Sequence, residues 1–229
     1  MSAHAPRTSP RILYWWPKFL FFVLFIYPLV RVVLGLRLRH PEHLPEVGPA
    51  ILVANHNSHL DTAVLMSLYP FKSLHRLRAV AAADYFLSTK WLAWISTRMV
   101  GIIPIARKKA ELVAQADPLE GVCNALAEGS IVLFFPEGSR GLPEKMTDFK
   151  LGIAKVADRF PDVPIVPIFL HGLGKALPRG EGLLVPFFCD AVVGKPTRKL
   201  PGESGPAFVT RLRKEIATLG REIHTWIWE

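Results

Sequence analysis

The segment Asn55-His-Asn-Ser-His-Leu-Asp61 puts two imidazoles and a carboxylate directly behind the apolar run Ala50-Ile-Leu-Val-Ala54. His56 and Asp61 form an H-x-x-x-x-D pattern. If His56 is the last non-helical residue and Asn57 or Ser58 caps a helix, Asp61 falls in the first turn, within reach of the ring. A neutral imidazole with a pKa near 6.5 is suited to taking a proton from a hydroxyl as that hydroxyl attacks. A carboxylate on its other nitrogen fixes the tautomer and stabilises the imidazolium. The competing reading is a well-capped turn in which His56 is only a loop residue. A metal reading is weaker, because His56 and His59 have no third ligand at suitable spacing nearby. His59 itself reads as a packing or surface residue.

Two further polar clusters directly follow apolar runs. Arg107-Lys108-Lys109 follows GIIPIA, and Pro136-Glu-Gly-Ser-Arg-Gly141 follows IVLFF. Arg107 and Arg140 are planar, permanently charged forks of the kind that bind phosphate. Glu137 beside them can accept a bond from a hydroxyl ligand or hold an arginine fork. Gly138 lets backbone approach a ligand closely, and a free N–H there would serve an oxyanion. Gly138 to Gly141 lacks the G-x-S-x-G spacing of a nucleophile elbow, so Ser139 is not placed as a nucleophile. No phosphate-binding GxxxxGK[ST] loop occurs, and GLGKAL, Gly172 to Leu177, lacks the third glycine of a dinucleotide loop. Cys123 and Cys189 show no ligand-like spacing, which excludes a cysteine zinc framework and fits a reducing setting.

The elements that must position these groups are short apolar runs bounded by turn residues. Strands are expected at Ala50 to Ala54, Leu77 to Ala82, Met99 to Ala106, Ser130 to Phe135, Pro164 to Leu170 and Leu183 to Phe188, with helices between. Asp117-Pro-Leu-Glu120 is a helix start, and the helix should run toward Glu128. Phe208, Leu212, Ile216, Leu219, Ile223 and Ile227 form a stripe at helical spacing, read as core-facing. Gly194 to Gly205 reads as a surface loop. The pattern is α/β, a single domain with a mostly parallel sheet flanked by helices. Ligands of such sheets bind at the carboxyl ends of strands, so the three polar clusters should converge.

The chain has 229 residues, half of them apolar, enough for one sizeable core. Its 28 Lys and Arg against 19 Asp and Glu give +9, pointing to an anionic partner. The generic reading of that charge, nucleic acid, lacks any recognition motif. From Arg7 to Arg39 there are six basic residues and no acidic one, around the apolar stretches Tyr14 to Val30 and Val32 to Leu36. Only 12 uncharged residues separate Lys18 from Arg31, about 18 Å of helix against a hydrocarbon core of about 30 Å. Pro28 is expected to kink that helix. The segment is therefore expected to lie in one leaflet, with Tyr14, Trp15, Trp16 and Tyr27 at headgroup depth and the basic heads turned outward. A full span would need Arg31 to snorkel. The expected division is a membrane-associated segment over residues 1–40 and an α/β domain over 41–229.

The blocks NHNSHLD, GIIPIAR, FPEGSRG and VPIVPI (Val163 to Ile168) resemble, in order, four blocks of the glycerolipid (PlsC-type) acyltransferases, the family that includes 1-acylglycerol-3-phosphate acyltransferase. The resemblance implies transfer of a fatty acyl group from an acyl-CoA or acyl-carrier protein thioester to the hydroxyl of a glycerol phosphate lipid. It implies no metal, no other cofactor and no covalent acyl-enzyme. By block position it makes His56 the general base, Asp61 its partner, and Arg107, Glu137, Gly138 and Arg140 the acceptor-binding set, with Ser139 in the same block. It places the protein at a membrane with its α/β domain on the cytoplasmic face. The third block commonly reads FPEGTRS, so Ser139 and Gly141 depart from the pattern and bear on which acceptor is used. Two other readings stand beside it: a lipid-binding scaffold that keeps the fold without catalysis, and an acyl-thioester hydrolase.

Overall fold

The computed structural model describes residues 15–82, 100–105, 117–143, 145–177, 185 and 187–224. Seven strands form one sheet: β1 (Arg37–Arg39), β2 (Ala50–Ala54), β3 (Leu77–Ala82), β4 (Ile102–Ile105), β5 (Ile131–Phe134), β6 (Ile165–His171) and β7 (Asp190–Val193). Their spatial order is β1-β7-β6-β2-β5-β3-β4. All neighbours are parallel except β6 and β7. The helices are α1 (Trp15–Phe21), α2 (Leu60–Ser67), α3 (Glu120–Ala127), α4 (Gly152–Arg159), the one-turn α5 (Leu173–Ala176) and α6 (Gly205–His224).

Strand β2 shows why the sheet is central. Every residue from Ala50 to Ala54 is fully buried, as a continuous apolar run requires when both sheet faces are covered. Alternation along the strand divides the core. Leu52 and Ala54 pack with Val64 and Met66 of α2 and with Phe22 and Val30 of the N-terminal segment. Ile51 and Val53 pack with Val122 of α3, Ile153 of α4 and Phe208 of α6. The C-terminal stripe is core-facing, with Phe208, Leu212, Ile216 and Ile223 buried; Ile227 lies outside the described residues. Asp117 Oδ1 accepts the Leu119 N–H at 3.0 Å just ahead of α3.

The last strand differs from expectation. Among Leu183 to Phe188, residues 185, 187 and 188 are irregular and the others lie outside the described residues, whereas Asp190–Val193 pairs with β6. The apolar signal misled because Phe188 is 74% exposed and belongs to the surface. The true strand begins with a charge that the sheet tolerates because Arg37 Nε lies 3.0 Å from Asp190 Oδ1. Strand β1, which supplies that arginine, is only three residues long and gives no periodic signal.

The N-terminal segment is a layer of the fold. Residues 15–33 are helical, with π turns at Phe22–Ile26 and Leu29–Val33. Pro28 keeps helical dihedrals, φ −60° and ψ −44°; bonds from i to i+5 on either side bypass its missing N–H, so helical structure continues through it. Phe22, Ile26, Val30 and Leu34 are buried against the domain, while Leu24, Phe25 and Val32 are exposed. Lys18 is not turned outward: it is 5% exposed and its ammonium donates to the Leu77 and Val100 carbonyls at 3.5 and 3.4 Å. Burial first, then the Arg78 charge, push its pKa down to about 7. Tyr27 also faces inward, donating its hydroxyl to the Tyr69 carbonyl at 2.6 Å. The side chains of Tyr14, Trp15 and Trp16 lie outside the described residues. Since β1 and this buried face both precede residue 41, the division at residue 40 does not coincide with a gap in packing. No helix among the described residues is long and apolar enough to cross a membrane.

Candidate active site

The carboxyl ends of β2 and β5 carry the two polar clusters that the structure describes, and they meet. Asn55 extends the ladder past the end of β2: its amide donates to the Leu170 carbonyl at 2.9 Å and its side-chain oxygen accepts the Leu170 N–H at 2.7 Å. This pins the chain where it leaves the sheet. His56 follows, its ring stacked on Phe135 at 4.2 Å between centroids.

Asp61 has no exposed surface. Its Oδ2 faces His56 Nδ1 at 2.8 Å and accepts the N–H groups of Asn57 and Ser58 at 2.7 and 2.9 Å. Ser58 Oγ in turn accepts the Leu60 N–H at 3.3 Å. Asp61 thus reaches back to the backbone just ahead of α2, as the acidic residue of a capping box does. The two sequence readings are not rivals, because one carboxylate both caps the helix and holds the imidazole. An ionised carboxylate only accepts, so the hydrogen resides on Nδ1 and Nε2 carries the lone pair.

The segment 136–141 closes over this corner. Gly141 donates its N–H to the His56 carbonyl at 2.9 Å. Gly138 has φ +70°, a conformation in which any other residue is strained, and it lies against the Lys150 side chain, whose Nζ a Cβ would meet at 2.8 Å. Its N–H bonds the Phe135 carbonyl at 3.0 Å and is not the free oxyanion donor expected from the sequence. Glu137 has protein partners. Its Oε1 accepts the His56 N–H at 2.8 Å, and its Oε2 accepts the N–H and hydroxyl of Thr147 at 2.8 and 2.6 Å. Buried at 2% exposed, this carboxylate ties the His56 turn to the Thr147 loop.

A cavity of about 770 Å³ opens from this corner. One end is polar, with His56, His59, Ser139, Arg140 and Lys150. The rest is apolar, lined by residues such as Phe22, Ile26, Met66, Val80 and Ile102 from four elements. His59 is exposed, as a surface residue would be, and also borders the cavity beside His56, where its Nε2 meets Arg140 Nη1. Burial, then the Arg140 charge, hold the His59 imidazole below its ordinary pKa. Lys150 joins Arg140 at the polar end; its one local signal in the sequence is a basic side chain shortly after the Gly138 to Gly141 segment. Arg107, with Lys108 and Lys109, lies outside the described residues.

The sequence profile of the Acyltransferase family matches residues 35–171. The chain is 31% identical over 198 residues to a chloroplastic 1-acyl-sn-glycerol-3-phosphate acyltransferase of Arabidopsis thaliana, covering 84% of this chain and 50% of that protein. It is 30% identical over 200 residues to 1-acyl-sn-glycerol-3-phosphate acyltransferase alpha of Homo sapiens, covering 86% of this chain and 68% of that one. The chain therefore spans about half the length of the plant relative. The crystal structure of the 1-acyl-sn-glycerophosphate acyltransferase PlsC of Thermotoga maritima superposes with a TM-score of 0.68 at 17% identity, over 99% of this chain and 85% of that one. At that identity the likeness is one of fold.

Proposed function

Because the chain belongs to the acyltransferase family, we propose that it moves a fatty acyl group from an acyl-CoA or acyl-carrier protein thioester to the free hydroxyl of a lysoglycerophospholipid. The acceptor proposed first is 1-acylglycerol-3-phosphate, which gives phosphatidate. The observation that carries this reading is the His56 and Asp61 pair at the polar end of an otherwise apolar cavity. An acyl chain needs an apolar channel and a phosphate needs cations; Arg140 and Lys150 supply the latter beside His56.

In the proposed reaction His56 Nε2 takes the hydroxyl proton as the acceptor oxygen adds to the thioester carbonyl. Asp61 stabilises the imidazolium that forms. The tetrahedral intermediate collapses with cleavage of the carbon–sulfur bond, and the imidazolium proton goes to the departing thiolate. The products are an oxygen ester and a free thiol, with His56 neutral again. The reaction is downhill, so positioning and one base suffice. Glu137 acts as a positioning residue, since it fixes the His56 backbone. Attachment to one leaflet is proposed to use the exposed Leu24, Phe25 and Val32 side of the N-terminal segment, with the α/β domain on the cytoplasmic face.

A thiol-release assay with acyl-CoA across a panel of acceptors tests the proposal, with products separated as ester or free acid. Acceptor-dependent thiol release with ester formation supports it. Release that forms free acid without acceptor would make the protein a hydrolase, and no release with any donor and acceptor would leave a lipid-binding scaffold.

A further inference from the structure

Strands β1 and β7 run against the rest of the sheet, so their carboxyl ends lie toward the edge opposite His56. At that edge His40-Pro-Glu-His43 turns the chain from β1 toward β2. One ligand atom from each of His40, Glu42 and His43 lies within 4.8 Å of those of the other two. His40 Nδ1 is 3.2 Å from Glu42 Oε1, and its Nε2 is 3.4 Å from Glu222 Oε2 of α6. The two imidazoles stack at 5.4 Å.

Two details set this cluster apart from a solvated charge group. His43 Nδ1 is 2.9 Å from the Val193 carbonyl. A carbonyl only accepts, so the hydrogen is on Nδ1 and the lone pair is on Nε2. This is the arrangement that fixes a metal-binding imidazole through its second nitrogen. His40, with φ 56° and ψ 49°, is the non-glycine residue with positive φ among the described residues. A β-carbon residue is held there only when its surroundings enforce it, and the result is that its ring lies between two carboxylates.

We propose that His40 through Nδ1, Glu42 and His43 bind a divalent ion of the zinc class, with Glu222 on His40 Nε2 as the carboxylate that orients the ring. Two imidazoles and a carboxylate suit zinc and its neighbours rather than calcium or magnesium, which take oxygen ligands. The ion would join the turn after β1 to α6, where Arg39 Nη1 already donates to the Glu222 carbonyl at 2.8 Å. It would therefore fasten the strand that follows the N-terminal segment to the C-terminal helix. The site stands apart from the chemistry at His56 and does not depend on the proposed reaction.

The test is zinc titration of tag-free full-length protein in detergent, by calorimetry and by competition with a chromophoric chelator, alongside melting with and without zinc. One equivalent bound and a higher Tm with zinc are expected. His43→Ala, Glu42→Gln and His40→Gly should each lower the affinity by about tenfold or more. His40→Gly also relieves the left-handed backbone, so that variant stays folded while losing the ion. His56→Ala, which breaks up the His56 and His59 imidazoles at the opposite edge, should bind as the parent does. No uptake by the parent, undiminished uptake by the three cluster variants, or loss confined to His56→Ala would each overturn the proposal.

Discussion

Glu137→Gln separates a brace from a substrate contact. The native carboxylate accepts the His56 N–H through one oxygen and both Thr147 donors through the other. Glutamine keeps a single oxygen. Whichever way the amide turns, its NH2 faces one of those backbone N–H groups, so one charge-assisted bond is lost, worth about 1.5 to 3 kcal/mol. A domain of this size loses roughly 2 to 4 °C of Tm per kcal/mol, so a drop of about 3 to 12 °C is expected. The freed His56 backbone carries the base with it, and misplacement by an ångström costs up to about 10²-fold in rate. Thermal melting with kinetics on both substrates should then show lower Tm and kcat with little change in acceptor KM. Thr147→Val, which removes only the hydroxyl bond, should be milder, and the two changes should be non-additive because they share one carboxylate. A raised acceptor KM with Tm and kcat unchanged would put Glu137 on the substrate and refute the reasoning.

Four other outcomes follow from the geometry. His56→Ala should abolish acceptor-dependent thiol release with circular dichroism unchanged, and Asp61→Asn should lower kcat by about 10² to 10⁴; substantial turnover by His56→Ala would remove it as the base. Arg140→Ala should raise acceptor KM roughly ten- to a hundredfold, the equivalent of a bond of about 1.5 to 3 kcal/mol, with donor KM little changed. His59, its folded pKa lowered from 6.5 by burial and then by the Arg140 charge, is neutral at pH 7; its protonation at lower pH adds a cation beside Arg140 and Lys150, so acceptor KM should drop as pH falls below 6.5, a limb that His59→Gln removes. On the N-terminal segment, Phe25→Glu should weaken binding to anionic vesicles without shifting Tm, whereas Phe22→Ala, at a 1% exposed position, should cost about 3 to 5 kcal/mol of stability.

The sequence by itself determined whatever depends on neighbours in the chain. Ala50 to Ala54 had to be a buried strand because five consecutive apolar residues leave no face for water. Asp61 falls in the first turn of the helix that follows, where its carboxylate comes back to the Ser58 N–H and to His56. Placement of His56 and Gly138 to Arg140 at one edge followed from parallel strands ending together. Only the tertiary structure decided which of several acceptors a donor meets across long separations. Glu137 finds His56 and Thr147, His59 faces Arg140, and Arg37 makes Asp190 acceptable in a strand. The N-terminal segment shows the physical limit most plainly. Burial of apolar surface is non-directional, so the same residues satisfy a bilayer or a sheet, and composition cannot divide Phe22 and Lys18, which turned inward, from Phe25 and Val32, which did not.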